Sequence, residues 1–182
     1  MIKFIPFLAA VLLGCGSIVN SNSKNSTGTA ENTTVQQSML LGKFEKADLM
    51  QKPYSSWFEP RYKQFSPQED AMATIKENIN DYEIKIFMGT WCGDSKRETP
   101  RFFKILDEAN YDMSKLEAVA VDYSKSTPEK YEEKVNLNRV PTMIFYKNGK
   151  EVNRFVEFAQ KSLEEDIAKI VSGEDYANSY AE

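Results

Sequence analysis

The run Thr90-Trp91-Cys92-Gly93-Asp94-Ser95-Lys96 holds the side chains best suited to chemistry in this 182-residue sequence. Cys92 offers a sulfur nucleophile, which reacts as the thiolate. A carboxylate, a hydroxyl and an ammonium follow it within four positions. Histidine is absent from the chain. That excludes Ser-His-Asp and Cys-His catalysis, both of which need an imidazole base. It also excludes His-ligated zinc, and two isolated cysteines do not replace it. No metal and no cofactor is expected, so any chemistry must use the thiol, carboxylates, phenols, amines or backbone groups.

The second cysteine, Cys15, follows an apolar run from Phe4 to Leu13 that is preceded by Lys3. A charged start and a short apolar stretch read as an export signal, too short to span a bilayer as a helix. The run ends in Leu12-Leu13-Gly14-Cys15, which resembles the lipobox of bacterial lipoproteins. That resemblance implies cleavage before Cys15, lipidation of its sulfur and new amino group, and a membrane as partner. Gly16 is not acidic, so the outer membrane on its periplasmic side is the expected location. An ordinary signal peptide with a coincidental cysteine is the alternative. With Cys15 acylated, Cys92 is the one free thiol, and an unpaired cysteine in an exported chain is a candidate reactive group.

Expected organisation follows from composition. Residues 1–14 are the signal, and 15–38, rich in Ser, Asn and Thr, form a tether with too few apolar side chains to fold. Residues 39–64 carry Phe44, Tyr54, Trp57, Phe58 and Tyr62, and are expected to pack on the domain as an added strand or short helix. A peptide-binding apron is the other reading of these aromatics. Residues 65–173 form the domain and 174–182 a tail. The chain is 41% hydrophobic, which supplies one ordinary core, and its net charge of −4 carries no basic stripe. Nucleic acid is therefore not an expected partner.

The cysteine must be positioned by the elements around it. Ser66-Pro67-Gln68-Glu69 predicts a helix start, with the helix running to Asn78. Ile84 to Met88 reads as a strand, and a helix from near Gly93 to Asn110 carries Phe102, Phe103, Ile105 and Leu106. Leu116 to Val121 reads as a buried strand. Thr127-Pro128-Glu129 predicts a helix to Asn136. Strands at Thr142 to Tyr146 and Glu151 to Val156 flank Asn148-Gly149, a strong hairpin signal. Gln160 to Val171 closes the domain as an amphipathic helix. Alternating helices and strands followed by a hairpin imply an α/β fold, a central mixed sheet of about four strands flanked by helices.

Three of these segments resemble the thioredoxin family. Trp91-Cys92-Gly93-Asp94-Ser95-Lys96 is similar to its Trp-Cys-Gly-Pro-Cys-Lys turn, with Pro100 where that family kinks the following helix. Val140-Pro141-Thr142 resembles its cis-proline loop, and Phe145-Tyr146-Lys147-Asn148-Gly149-Lys150 the hairpin after it. The resemblance implies a thioredoxin-like fold, Cys92 as the attacking sulfur, and Pro141 in cis beside it. Val140, Thr142, Trp91 and Gly93 would then line the surface that takes an extended substrate. Trp91 is either a lid over that surface or a packing residue. A helix N-terminus presents free N–H groups and the positive end of the helix dipole to Cys92, which favours negative charge on sulfur. Lys96 either adds to that potential or is simply solvated. The opposing reading of Cys92 is an inert buried thiol.

Two departures from the family pattern stand out. Ser95 occupies the place of the resolving cysteine, so it can only hydrogen-bond the Cys92 sulfur or cap the helix. Ile86 stands where thioredoxins bury an aspartate that serves the second thiol. Asp94 replaces a proline and is read as a partner for the helix dipole, as a charge opposing the thiolate, or as a proton shuttle. Monothiol exchange with a protein or small-thiol disulfide client is the leading functional expectation. A redox-inactive scaffold that docks extended peptides is the first alternative, and a sensor that captures a partner covalently is the second.

Overall fold

In the computed structural model, residues 39–181 are described, so the signal, Cys15 and the tether lie outside the described residues. The extension begins with β1 (Gly42–Lys43) and continues through α1 (Lys46–Leu49) and α2 (Ser55–Gln64). Then follow α3 (Glu69–Asn78), β2 (Glu83–Met88), α4 (Gly93–Glu108), β3 (Leu116–Ala120), β4 (Thr142–Lys147), β5 (Lys150–Val156) and α5 (Leu163–Ser172). The thioredoxin-like α/β architecture is as expected, but the sheet has five strands, in the order β1-β3-β2-β4-β5. The added strand is only two residues long, too short to leave an alternating pattern in the sequence.

β2 is the middle of the sheet, parallel to β3 and antiparallel to β4. Its pleat sends alternate side chains to opposite faces. Ile84, Ile86 and Met88 enter the larger core, with Phe58, Ile75, Phe102, Phe103 and Ile167 from four helices. Phe87 enters a smaller core with Val119, Val121, Val135, Val140 and Ile144, and Cys92 and Trp91 pack against its rim. The sulfur thus sits over a rigid apolar floor.

The extension is part of the larger core rather than an exposed apron. Phe58 is fully buried, in edge contact with Phe103 at 6.0 Å between ring centroids. β1 pairs antiparallel with β3, and Lys43 reaches Glu117 at 2.9 Å. The closing residues are also tied down: Tyr176 is buried and its hydroxyl donates to Asp166 at 3.1 Å.

Three helix expectations need correction, the closing one because α5 starts at Leu163, with Ser162 as its cap, and not at Gln160. No α-helix spans Thr127 to Asn136, where the chain makes only a 3-10 turn at Glu132–Val135. The buried Glu132 carboxylate accepts from the Thr127 amide at 3.0 Å and its hydroxyl at 2.7 Å, closing a loop instead. Lys130 and Asn136, at φ 56° and 50°, interrupt any helical path. At the second site the helix starts two residues late, with Gln68 and not Ser66 in the capping position of α3. The hairpin follows its sequence signal: Asn148 and Gly149 both take positive φ, 54° and 72°, as a two-residue turn of the I′ type requires.

Candidate active site

α4 begins where β2 ends, and four residues make the passage. Cys92 is the N-cap residue, in extended conformation at φ −81° and ψ 129°. Its amide donates to the Gly89 carbonyl at 2.9 Å, and its own carbonyl accepts from the Lys96 amide at 3.0 Å. The side chain therefore lies at the positive end of a 16-residue helix, beside amides with no partner inside the helix. Cys92 is half-buried and free. Its thiol donates to the Val140 carbonyl at 3.2 Å.

That contact joins two segments far apart in sequence. The Val140–Pro141 bond is cis. The Thr142 hydroxyl donates to the Arg139 carbonyl at 2.7 Å, and the Glu157 amide donates to the Pro141 carbonyl at 2.8 Å. The loop beside the sulfur is thus braced from both sides. Gly93 is exposed, and a Cβ built on it would meet nothing within 4 Å, so the approach from the helix side stays open.

Trp91 is fixed by its polar handle. The indole N–H donates to the Val121 carbonyl at 3.0 Å, and the ring stacks on Tyr123 at 5.0 Å between centroids. The indole crosses so close to Gly89 that a Cβ there would lie 2.6 Å from the ring. Gly89 is a site residue the sequence reading passed over. Its signal was a glycine at the end of a buried strand, where close approach of another group is a common reason for glycine. Tyr123 was missed as well. It is 71% exposed, and an exposed aromatic just after a buried strand was its one trace.

The structure brings Trp91, Cys92, Gly93, Val140, Pro141 and Thr142 together and sends the other motif side chains elsewhere. Ser95 is fully buried, and its Oγ accepts from the Gly89 amide at 3.1 Å. It neither bonds the sulfur nor caps the helix: it ties the end of β2 to the first turn of α4. Asp94 is held by Arg97 at 2.6 Å, and Arg97 also contacts the buried Glu98 at 2.5 Å. Arg97 was missed too, although three-residue spacing on a helix predicts such a pair. Lys96 forms none of the ion pairs among the described residues. No group of His, Cys, Asp or Glu able to hold a metal occurs among the described residues. No helix among them is long and apolar enough to cross a membrane.

Comparison with known proteins gives one consistent result. A family model described as Thioredoxin matches residues 67–169. A thioredoxin of Staphylococcus epidermidis is 31% identical over 110 residues, covering 55% of this chain and 96% of that protein. A thioredoxin of Staphylococcus aureus matches over the same length at the same identity, 31% over 110 residues. Among solved structures, a protein of unknown function from Pseudomonas aeruginosa aligns with a TM-score of 0.55 at 11% identity. That alignment covers 74% of this chain and 93% of the other, and likeness at this identity concerns the fold alone.

Proposed function

The chain belongs to the thioredoxin family, and from that premise we propose that it performs thiol-disulfide exchange through Cys92 alone. The observation that carries the reading is the half-buried Cys92 sulfur at the N-cap of α4, 3.2 Å from the carbonyl of Val140 in the cis-proline loop. The sulfur lies at the N-terminus of α4, and an extended client segment would lie along Val140 and Thr142.

The exchange balances without a cofactor. Cys92 loses its proton to solvent, and the thiolate attacks one sulfur of a client disulfide. A new S–S bond joins Cys92 to the client as the old one breaks. The departing sulfur leaves with the electron pair and takes a proton from water. Ser95 has no thiol with which to repeat the step. A second thiol of the client, or an external small thiol, attacks the mixed disulfide and restores Cys92. Isomerisation of client disulfides, or removal of small-thiol adducts, follows according to which thiol arrives.

The lipobox-like Leu12-Leu13-Gly14-Cys15 supports a lipid anchor that holds the domain on a bacterial membrane, outer and periplasm-facing by the non-acidic Gly16. Disulfides persist in that compartment, which suits an exchange protein. Incorporation of labelled fatty acid, abolished by Cys15→Ser, tests the anchor.

For the exchange itself, a protein with scrambled disulfides is refolded in a glutathione buffer with and without the chain. Faster recovery of native pairing, lost on Cys92→Ser, is expected. Equal rates with and without the chain would overturn the reading and leave a docking scaffold in its place.

A further inference from the structure

Beside the motif lies a pocket of about 180 Å³. Its described lining is Thr90, Trp91, Lys96 and Tyr123 of the domain and Met39, Tyr54 and Trp57 of the extension. The family match begins at residue 67, so the extension wall lies outside the matched family domain. The wall is held in place at the motif itself, because the Leu40 amide donates to the Thr90 hydroxyl at 3.3 Å. Trp57 is buried and packs edge-on against Phe58 at 6.1 Å, so the wall does not yield easily.

Lys96 is the only charged side chain among the described residues that line this pocket. The nearest acid in sequence, Asp94, is already paired with Arg97 at 2.6 Å, and none of the described ion pairs includes Lys96. An ammonium with no ion pair, on a side chain that lines an aromatic-rich pocket, lacks a counter-ion. Such a site favours an anion of planar or compact shape. Its volume limits the guest. A water occupies about 30 Å³ and a drug-sized ligand needs at least about 300 Å³, so one side-chain-sized group fits. Lys96 lies four residues from Cys92, about 6 Å along the helix axis, within reach of a carboxylate a few bonds from an attacked sulfur.

We propose that this pocket binds a carboxylate carried by the disulfide client, through Lys96, and so selects acidic disulfides for Cys92. The inference rests on the exchange reading above. The carboxylate comes from a small thiol such as glutathione or from an acidic residue next to a client cysteine, the chemistry being the same.

The test uses the full chain with Cys15→Ser, so that Cys92 is the sole thiol, and three small disulfides. Dithiobis-nitrobenzoate is an aromatic acid, dithiodipyridine an uncharged aromatic and cystamine a cation. The quantity read is the ratio of reaction rates, anionic over neutral. Lys96→Gln should lower that ratio roughly 3- to 10-fold, the range for a partly exposed charge-assisted contact, and added salt should lower it in the parent alone. Lys96→Glu should lower it further and raise the cystamine rate. A ratio unmoved by both substitutions would overturn the proposal, as would equal losses with every disulfide. If no disulfide reacts with folded Cys92, the exchange reading itself fails, and the pocket proposal falls with it. Glutathione disulfide compared with the disulfide of an acidic cysteine peptide then identifies the source, by which of the two loses more rate on Lys96→Gln.

Discussion

Ser95 accepts the Gly89 amide proton at 3.1 Å, so the residue standing in the resolving position closes the turn that presents Cys92. Both residues are buried. Ile86, near the middle of β2, is fully buried and apolar as well.

Ser95→Ala leaves the Gly89 amide buried without a partner. The expected cost is about 1–3 kcal/mol, and several degrees in melting temperature for a domain of this size. Thermal unfolding of the variant beside the parent measures it. Ser95→Cys has a different expected outcome: the introduced thiol attacks a mixed disulfide at Cys92 and shortens its lifetime. Adduct decay followed by intact mass reads that effect directly.

Gly89→Ala places a methyl group against the Trp91 indole, where the built Cβ lies 2.6 Å from the ring. The indole cannot step aside without giving up the Val121 carbonyl or the Tyr123 stack. A loss of about 1–3 kcal/mol is expected, as for other overpacked sites. A shift in tryptophan emission should accompany it, since only Trp57 and Trp91 contribute.

The active-site turn was legible in the sequence because its signals are local. A strand end, a Trp-Cys pair and an acidic first helical turn lie within a dozen residues, and Asn148-Gly149 announces its own hairpin. What failed was non-local or mimicked by local chemistry. Thr127-Pro128-Glu129 has the composition of a helix start, yet Glu132 turns its carboxylate back to Thr127 and closes a loop. α2 contains Pro60 and has no consistent apolar stripe, so its burial through Trp57 and Phe58 depends on α4 supplying the other half of the contact. The fate of Ser95 was equally hidden, since its partner is a backbone amide across a turn.

Phe58→Ala should cost about 3–5 kcal/mol, as for a fully buried aromatic, because the ring packs on Phe103 in the main core. Chemical denaturation of the variant measures the loss. A shift of less than about 1 kcal/mol would show that the extension is an accessory to the domain.

The bridge from β1 to β3 should depend on pH. Burial pushes the Glu117 carboxyl up, but the hydrogen bond from Lys43 and the charges of Lys85 and Lys43 outweigh it, leaving the group below its ordinary range. A depressed carboxyl contributes stability above the unfolded value, about 4.3, and loses it as pH falls through the folded one. Lys43 and Glu117 are partly exposed, so the contribution is at most about 1 kcal/mol. Glu117→Gln should be less stable than the parent near neutrality, and the gap should close near pH 3. Paired thermal melts at the two pH values check the sign.

The central claim is that Cys92 forms a mixed disulfide which the chain cannot release by itself. Its most direct test is an intact-mass time course of the full chain with Cys15→Ser, first with glutathione disulfide and then with free glutathione. One adduct per chain, absent in Cys92→Ser and persisting until the free thiol is added, is the expected result. An adduct that disappears without added thiol, or a folded chain that never acquires one, would contradict it.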